Sequence, residues 1–193
     1  MVSPKNVSRE FTGANTIQIN NNSHGFRDKE ITFDNAKKRI LILGDSFAYG
    51  YDSEVHERFS EILDNNLENY QIFNLGVGGY STDQELLLLK EYYHLIEPDL
   101  VYLLYHHNDW HGNSVNHIYN GYYKPYFELD SETQLIRLNG VPVPKSIQHL
   151  KYEYPIFYKS KIVIWLTNIL YNNNIVEISG NPQITFKGNK NFR

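Results

Sequence analysis

The apolar positions of the chain fall into two kinds of run. Short unbroken runs, rich in β-branched residues and closed by a glycine or a polar turn, predict strands buried on both faces. RILILGD (39–45), YQIFNLG (70–76) and DLVYLLYHHND (99–109) are of this kind. Between them the period changes. Phe59, Ile62, Leu63 and Leu67 recur at i, i+3, i+4 and i+8, which predicts one face of a helix over roughly Glu57 to Leu67. Thr82-Asp83-Gln84-Glu85 has the capping-box pattern ahead of Leu86–Leu89, so a second helix is expected there, ending before Pro98. Strand, helix, strand, helix, strand at this spacing means parallel strands joined by right-handed crossovers. The expected fold class is α/β, a three-layer sandwich with a parallel sheet.

The flanks are less regular. Residues 1–36 form a polar, Asn-rich lead-in, with NNNSHGFRD (20–28) its only distinctive piece. Past Trp110, Tyr and Asn crowd residues 112–126. YFELDSETQLIRL (126–138) predicts a short hairpin around a polar turn, and Val-Pro-Val-Pro (141–144) an extended connector. A further helix is expected over Ile156 to Tyr171, and the tail could hold one or two short strands. The organisation expected is a single domain: lead-in 1–36, core 37–111, hairpin insertion 112–150, helix and tail 151–193. Three parallel strands leave the edge of DLVYLLYHH uncovered, so the sandwich is expected to be truncated at its C-terminus.

Composition narrows the function classes. With 193 residues, 41% of them hydrophobic, the chain suits one folded domain. A net charge of −4 gives no long-range attraction for nucleic acid or anionic lipid. The absence of cysteine removes disulfides, zinc–thiolate sites and a cysteine nucleophile. No apolar leader opens the chain, and IVIWLTNIL (162–170) is far shorter than a membrane span. A soluble protein with no membrane span and no nucleic-acid partner is the expectation. Its compartment stays open between the cytoplasm and, had a leader been trimmed, the cell envelope.

Cofactor motifs fail on particular residues. Gly76-Val77-Gly78-Gly79-Tyr80-Ser81 has Ser81 in place of the third glycine of a dinucleotide fingerprint. GDSFAYG (44–50) lacks the Lys-Ser/Thr of a phosphate loop, and Ala48 stands where G-x-S-x-G needs its second glycine. His106-His107-x-x-x-His111 has no acidic or cysteine partner at its spacing. Neither cofactor nor metal is expected.

The strand ends carry other chemistry. In a parallel sheet, ligands bind at the carboxyl ends of the strands. The first strand here ends in Gly44-Asp45-Ser46, the second in Asn74-Leu75-Gly76-Val77-Gly78-Gly79, the third in His106-His107-Asn108-Asp109. One hydroxyl, an approachable backbone N–H and a side-chain amide from three loops match what acyl transfer requires. Taken alone, Ser46 could simply cap the helix that follows, and Asp45 could brace the turn.

In combination, GDS, NLGVGG and HHND resemble the first three sequence blocks of the SGNH hydrolases, also called GDSL esterases or lipases. NSHGFRD, YYKPYFEL and VPVP are similar to a bacterial branch of that family, some of whose members handle acetyl groups on sugars and cell-surface polysaccharides. The resemblance covers residues 23 to about 145. It implies Ser46 as nucleophile, with its own N–H, the Gly79 N–H and the Asn108 side chain forming an oxyanion hole. The substrate implied is a small-molecule or carbohydrate ester, processed through an acyl-serine. His106 departs from the pattern, standing where many members have the glycine of Gly-x-Asn.

The family's general base, a histidine in an Asp-x-x-His block, is missing. Nothing after His149 is a histidine. Glu91-Tyr92-Tyr93-His94 mimics the spacing at the end of the second helix that faces the opposite edge of the sheet. His56 could approach the site only if its loop folds back. His106, His107 and His111 lie on the correct edge but need an orienting acid, and Asp109 is too close in sequence to His107 and His111 to serve. His117 and His149 lie in the irregular region, where sequence does not place them. Hydrolysis is therefore expected to be impaired. The alternative is a non-catalytic carbohydrate-binding or scaffolding protein on the same fold.

Overall fold

Ile40, Leu41, Ile42 and Leu43 point alternately into two separate cores, and this alternation places the sheet. The computed structural model describes residues 5, 8–13, 15–118, 122–145 and 159–172. Their strand, β3 (Lys38–Gly44), is central in a three-stranded sheet, with β4 (Tyr70–Asn74) on one side and β5 (Leu100–Leu104) on the other. Both pairings are parallel. Leu41 and Leu43 pack with Phe73 and Leu75 against Leu88, Tyr92 and Ile96 of helix α3 (Thr82–Ile96). Ile40, Ile42 and Ile72 face the other way. They meet Ala48 of the short helix α1 (Ser46–Tyr49) and Leu67, which caps helix α2 (Phe59–Asn66). The result is a mixed α/β arrangement with helices on both faces of a parallel sheet, as the spacing of the apolar runs predicts.

Three details differ from expectation. First, β5 is not buried: Leu100, Val101, Tyr102 and Leu103 remain between 39% and 53% exposed. An apolar run identifies a strand by composition, but burial depends on what is packed against it, and among the described residues this one lies at a sheet edge. Second, the turn Val55–Glu57 is 3₁₀ and α2 begins only at Phe59. Its predicted apolar face is largely solvent-exposed, while the polar Ser60 is buried. Third, α3 starts at Thr82, but its N-cap is Ser81 and the capping box is not formed. Glu85, which would have closed it, is wholly buried instead.

The lead-in is more structured than its polarity suggests. β1 (Ser8–Thr12) and β2 (Thr16–Asn20) make an antiparallel hairpin whose Ile17 and Ile19 pack with Phe11 against Tyr49 of α1.

The chain divides into two compact units, Met1–His111 and Gly112–Arg193. Helix α4 (His107–Asn113) follows β5. In the second unit, β6 (Tyr126–Leu129) and β7 (Ile136–Asn139) form the expected antiparallel hairpin. Asp130 organises its turn by accepting from the N–H groups of Glu132 and Thr133. The bond between Val141 and Pro142 is cis. Helix α5 (Lys161–Asn172) overlaps the predicted segment; Ile156 and the predicted tail strands lie outside the described residues. No helix among the described residues is long and apolar enough to cross a membrane.

Candidate functional site

Ser46 is the first residue of α1, immediately past the end of β3, and its side chain is half-buried. It does not cap the helix. Asp45 does: its carboxylate accepts from Phe47 N–H at 2.9 Å. Ser46 Oγ makes no hydrogen bond among the described residues. The turn is closed from below by the second strand-end loop. Val77 N–H donates to Gly44 C=O at 3.0 Å, extending the β4 pairing past the strand itself. A Cβ on Gly76 would sit 2.6 Å from Tyr49 N and 2.7 Å from the Ala48 side chain. Only glycine lets this loop approach α1 so closely. Three residues on, Gly79 occupies the third position of the Val77–Tyr80 turn with φ of +83°. A left-handed φ at that position is the geometry glycine supplies.

The third strand-end loop is tied to the same turn. Asn108 Nδ2 donates to Asp45 Oδ2 at 2.9 Å. Asp45 is thus shared between the serine turn and the end of β5, and it is only 1% exposed. The bond also orients the Asn108 amide. Because the carboxylate oxygen accepts, the amide nitrogen faces Asp45 and the amide oxygen faces His106 Nδ1. That oxygen can only accept, so Nδ1 of His106 carries a hydrogen. One N–H of Asn108 is spent on Asp45, and the second remains to donate. The His106 ring lies against Phe47, 4.3 Å between centroids, on the residue next to Ser46. Asp109 holds the loop by accepting from His106 N–H at 2.9 Å.

A buried polar frame supports the turn from the lead-in. Arg27, 1% exposed, donates to Gly50 C=O and Ser53 C=O at 2.7 Å each and to Gln18 C=O at 3.0 Å. It thereby joins the N-terminal hairpin to the segment leaving α1. Arg58 donates to Arg27 C=O and pairs with Asp28 at 3.0 Å. Asp28 in turn accepts from Asn74 N–H, and the Asn74 side chain donates to Ala48 C=O and Ser60 Oγ. Burial pushes the Asp28 carboxyl upward, opposed by Arg58 and by the Asn74 N–H. None of these partners was assigned a role from the sequence. NSHGFRD stood out there only as a resemblance, because nothing in apolar periodicity marks an arginine for burial.

Beneath the site lies a group of acids. Glu85 and Asp109 are completely buried, and both Glu85 oxygens and one Asp109 oxygen lack a hydrogen-bond partner among the described residues. Burial first, then the charges of Asp109, Asp45 and Asp83, raise the Glu85 carboxyl to about 8. Asp109 is raised for the same leading reason, against the pull of the His106 N–H. No cluster of three or more metal-ligating side chains is present among the described residues.

Of the residues singled out in sequence, the loops of Ser46 and Asn108 are joined through Asp45, and the loop of Gly79 through the Val77–Gly44 bond. His106 is placed on the residue beside the serine, whereas His94 is exposed near the end of α3 with its ring edge-on to Tyr93. His149 lies outside the described residues. No family model, curated protein or solved structure matches the chain.

Proposed function

We propose that the first unit carries the nucleophile and oxyanion donors of an ester-processing site. In this reading Ser46 takes up an acyl group from an ester or an acetylated carbohydrate. The Gly79 N–H and the free N–H of Asn108 donate to the oxyanion as the tetrahedral intermediate forms. Each well-placed donor contributes about 3 kcal/mol to such a transition state. The observation that supports the reading most directly is the Asn108–Asp45 hydrogen bond, which brings an amide donor from β5 to the turn that presents the serine. The resemblance of GDS, NLGVGG and HHND to SGNH hydrolases adds to it. Turnover is slow in this chain, because no histidine is hydrogen-bonded to Ser46 among the described residues.

The test is acetylation by p-nitrophenyl acetate, followed by mass spectrometry of the intact protein, with and without imidazole as an external base. A slowly formed acetyl adduct on Ser46, accelerated by imidazole and absent in Ser46→Ala, is expected. Equal labelling of the Ser46→Ala variant would remove the nucleophile assignment. The Ser46 hydroxyl, without a hydrogen bond among the described residues, favours one second reading, a carbohydrate-binding protein without catalysis. A chain that binds sugars but never labels at Ser46 would establish that instead.

A further inference from the structure

A cleft of about 350 Å³ opens beside Ser46, between α1 and the start of α2. Its floor is the Gly50 backbone and the aliphatic stem of Arg58, packed so closely that a Cβ on Gly50 would lie 2.5 Å from Arg58 Cδ. Three aromatic rings line it: Phe47, Tyr51 and Phe59, which are 62%, 54% and 38% exposed. Two of these rings are held in place by neighbours despite their exposure. Phe47 lies on the His106 ring, and Tyr51 meets Phe11 edge-on with centroids 5.0 Å apart. Ser53 and Glu57 supply the polar part of the lining. Each has one local bond, Ser53 Oγ to Gly50 C=O and Glu57 to Glu54 N–H, and each retains further hydrogen-bonding capacity.

We infer that this cleft binds a neutral sugar ring, the alcohol part of the ester whose acyl group Ser46 receives. The inference rests on the ester-processing reading and names its substrate class. Three observations select the ligand. The volume lies at the small end of ligand pockets, enough for about one ring and its substituents. The apolar lining is aromatic, with no Leu, Ile or Val among the lining residues, where an acyl tail would meet aliphatic side chains. Flat rings present a negative face to which the C–H groups of a sugar ring are attracted. The polar lining accepts: a carboxylate and a hydroxyl suit a donor-rich polyol, whereas the one cation, Arg58, is committed to Asp28. An anionic ligand would meet Glu57 without a free counter-charge.

The test uses the Ser46→Ala variant, so that its outcome does not depend on turnover. Binding of methyl glucoside, methyl N-acetylglucosaminide and butyrate methyl ester is measured by saturation-transfer NMR and calorimetry. A methyl glycoside is expected to bind with its ring C–H groups against the protein. Tyr51→Ala and Phe59→Ala, each added to Ser46→Ala, should weaken it by about fivefold. Both rings are more than a third exposed, so their removal leaves the fold intact, which circular dichroism checks. Binding of the butyrate ester in preference to both glycosides, glycoside binding unchanged by either ring deletion, or no binding of any probe would each overturn the inference. The acetylation experiment stands apart from all of these: Ser46 can label while the cleft binds no sugar, or the cleft can bind sugar while Ser46 fails to label.

Discussion

Asn108 and Asp45 lie 63 residues apart in sequence and are joined by a 2.9 Å hydrogen bond between side chains. The same carboxylate caps α1 through Phe47 N–H, so one buried acid fixes both the serine turn and the loop that follows β5. Asp45→Ala leaves two N–H donors without their partner. Each loss costs about 1–3 kcal/mol. Urea denaturation is expected to show a destabilisation of about 2–4 kcal/mol. A change below about 0.5 kcal/mol would mean that the two loops are held by something else.

His106 contributes through the amide it orients. With Nδ1–H on the Asn108 oxygen, the amide cannot flip without setting two donors face to face at His106 and two acceptors face to face at Asp45. His106→Ala should therefore slow imidazole-assisted acetylation of Ser46 by about tenfold, with thermal stability little changed because the ring is exposed. His106→Asn, which keeps a donor, should recover part of the rate. Equal acetylation rates in wild type and His106→Ala would argue against this orienting role.

The buried pair Arg58–Asp28 has both side chains at 6% exposure or less. Removing one partner strands the other charge, at a cost of about 3–5 kcal/mol. Arg58→Met should fall in that range. The double variant Arg58→Met with Asp28→Asn should be more stable than Arg58→Met alone, which a double-mutant cycle measures. A double variant less stable than the single one would show that the pair is not coupled.

Glu85 gives the protein an alkaline weakness. Its carboxyl is raised from an unfolded value near 4.5 to about 8, so the folded chain holds a proton that the unfolded chain has already released between those limits. Stability from this group is complete below the lower limit and declines as pH rises through the upper one. Asp109 and Asp28 are raised too and act in the same direction. Melting temperatures should fall between pH 6 and about 9. Glu85→Gln, which mimics the protonated acid in shape, should flatten that decline. An identical pH profile in the variant would place the titration elsewhere.

Among the described residues β5 presents an apolar edge. Tyr102 is 53% exposed and Val101 39%. A lysine on such an edge opposes pairing between chains. Val101→Lys should reduce light scattering on concentration or warming, with little change in secondary structure; unchanged scattering would locate self-association on another surface.

The three sheet strands and both sheet-flanking helices could be read from the chain because their signals are local: unbroken β-branched runs for the first, a 3.6-residue period for the second. Burial was less accessible. The stripe Phe59, Ile62 and Leu63 is periodic yet exposed, since α2 uses the polar Ser60 to reach Asn74. β1 and β2 went unread because the only alternation, Ile17 and Ile19, is two residues deep in an Asn-rich stretch. Glu85 satisfied a local capping rule, but Ser81 took the cap and left it among acids brought together by the fold. Ser46, Gly79 and Asn108 could be nominated from the strand ends. Asp45 could be read as a brace for its own turn, but its bond to Asn108 and the buried arginines that support the turn could not, because those partners lie far away in sequence.

Arg27 collects the carbonyl groups of Gln18, Gly50 and Ser53, adding three bonds to the packing of Ile17 and Ile19 against Tyr49. A practical rule for handling the molecule follows. Shortening the amino-terminal side is safe only outside the first hairpin; a cut or fusion junction between residues 20 and 28 would detach the keystone and loosen the Ser46 turn far downstream, even though Ser46 itself had not been touched.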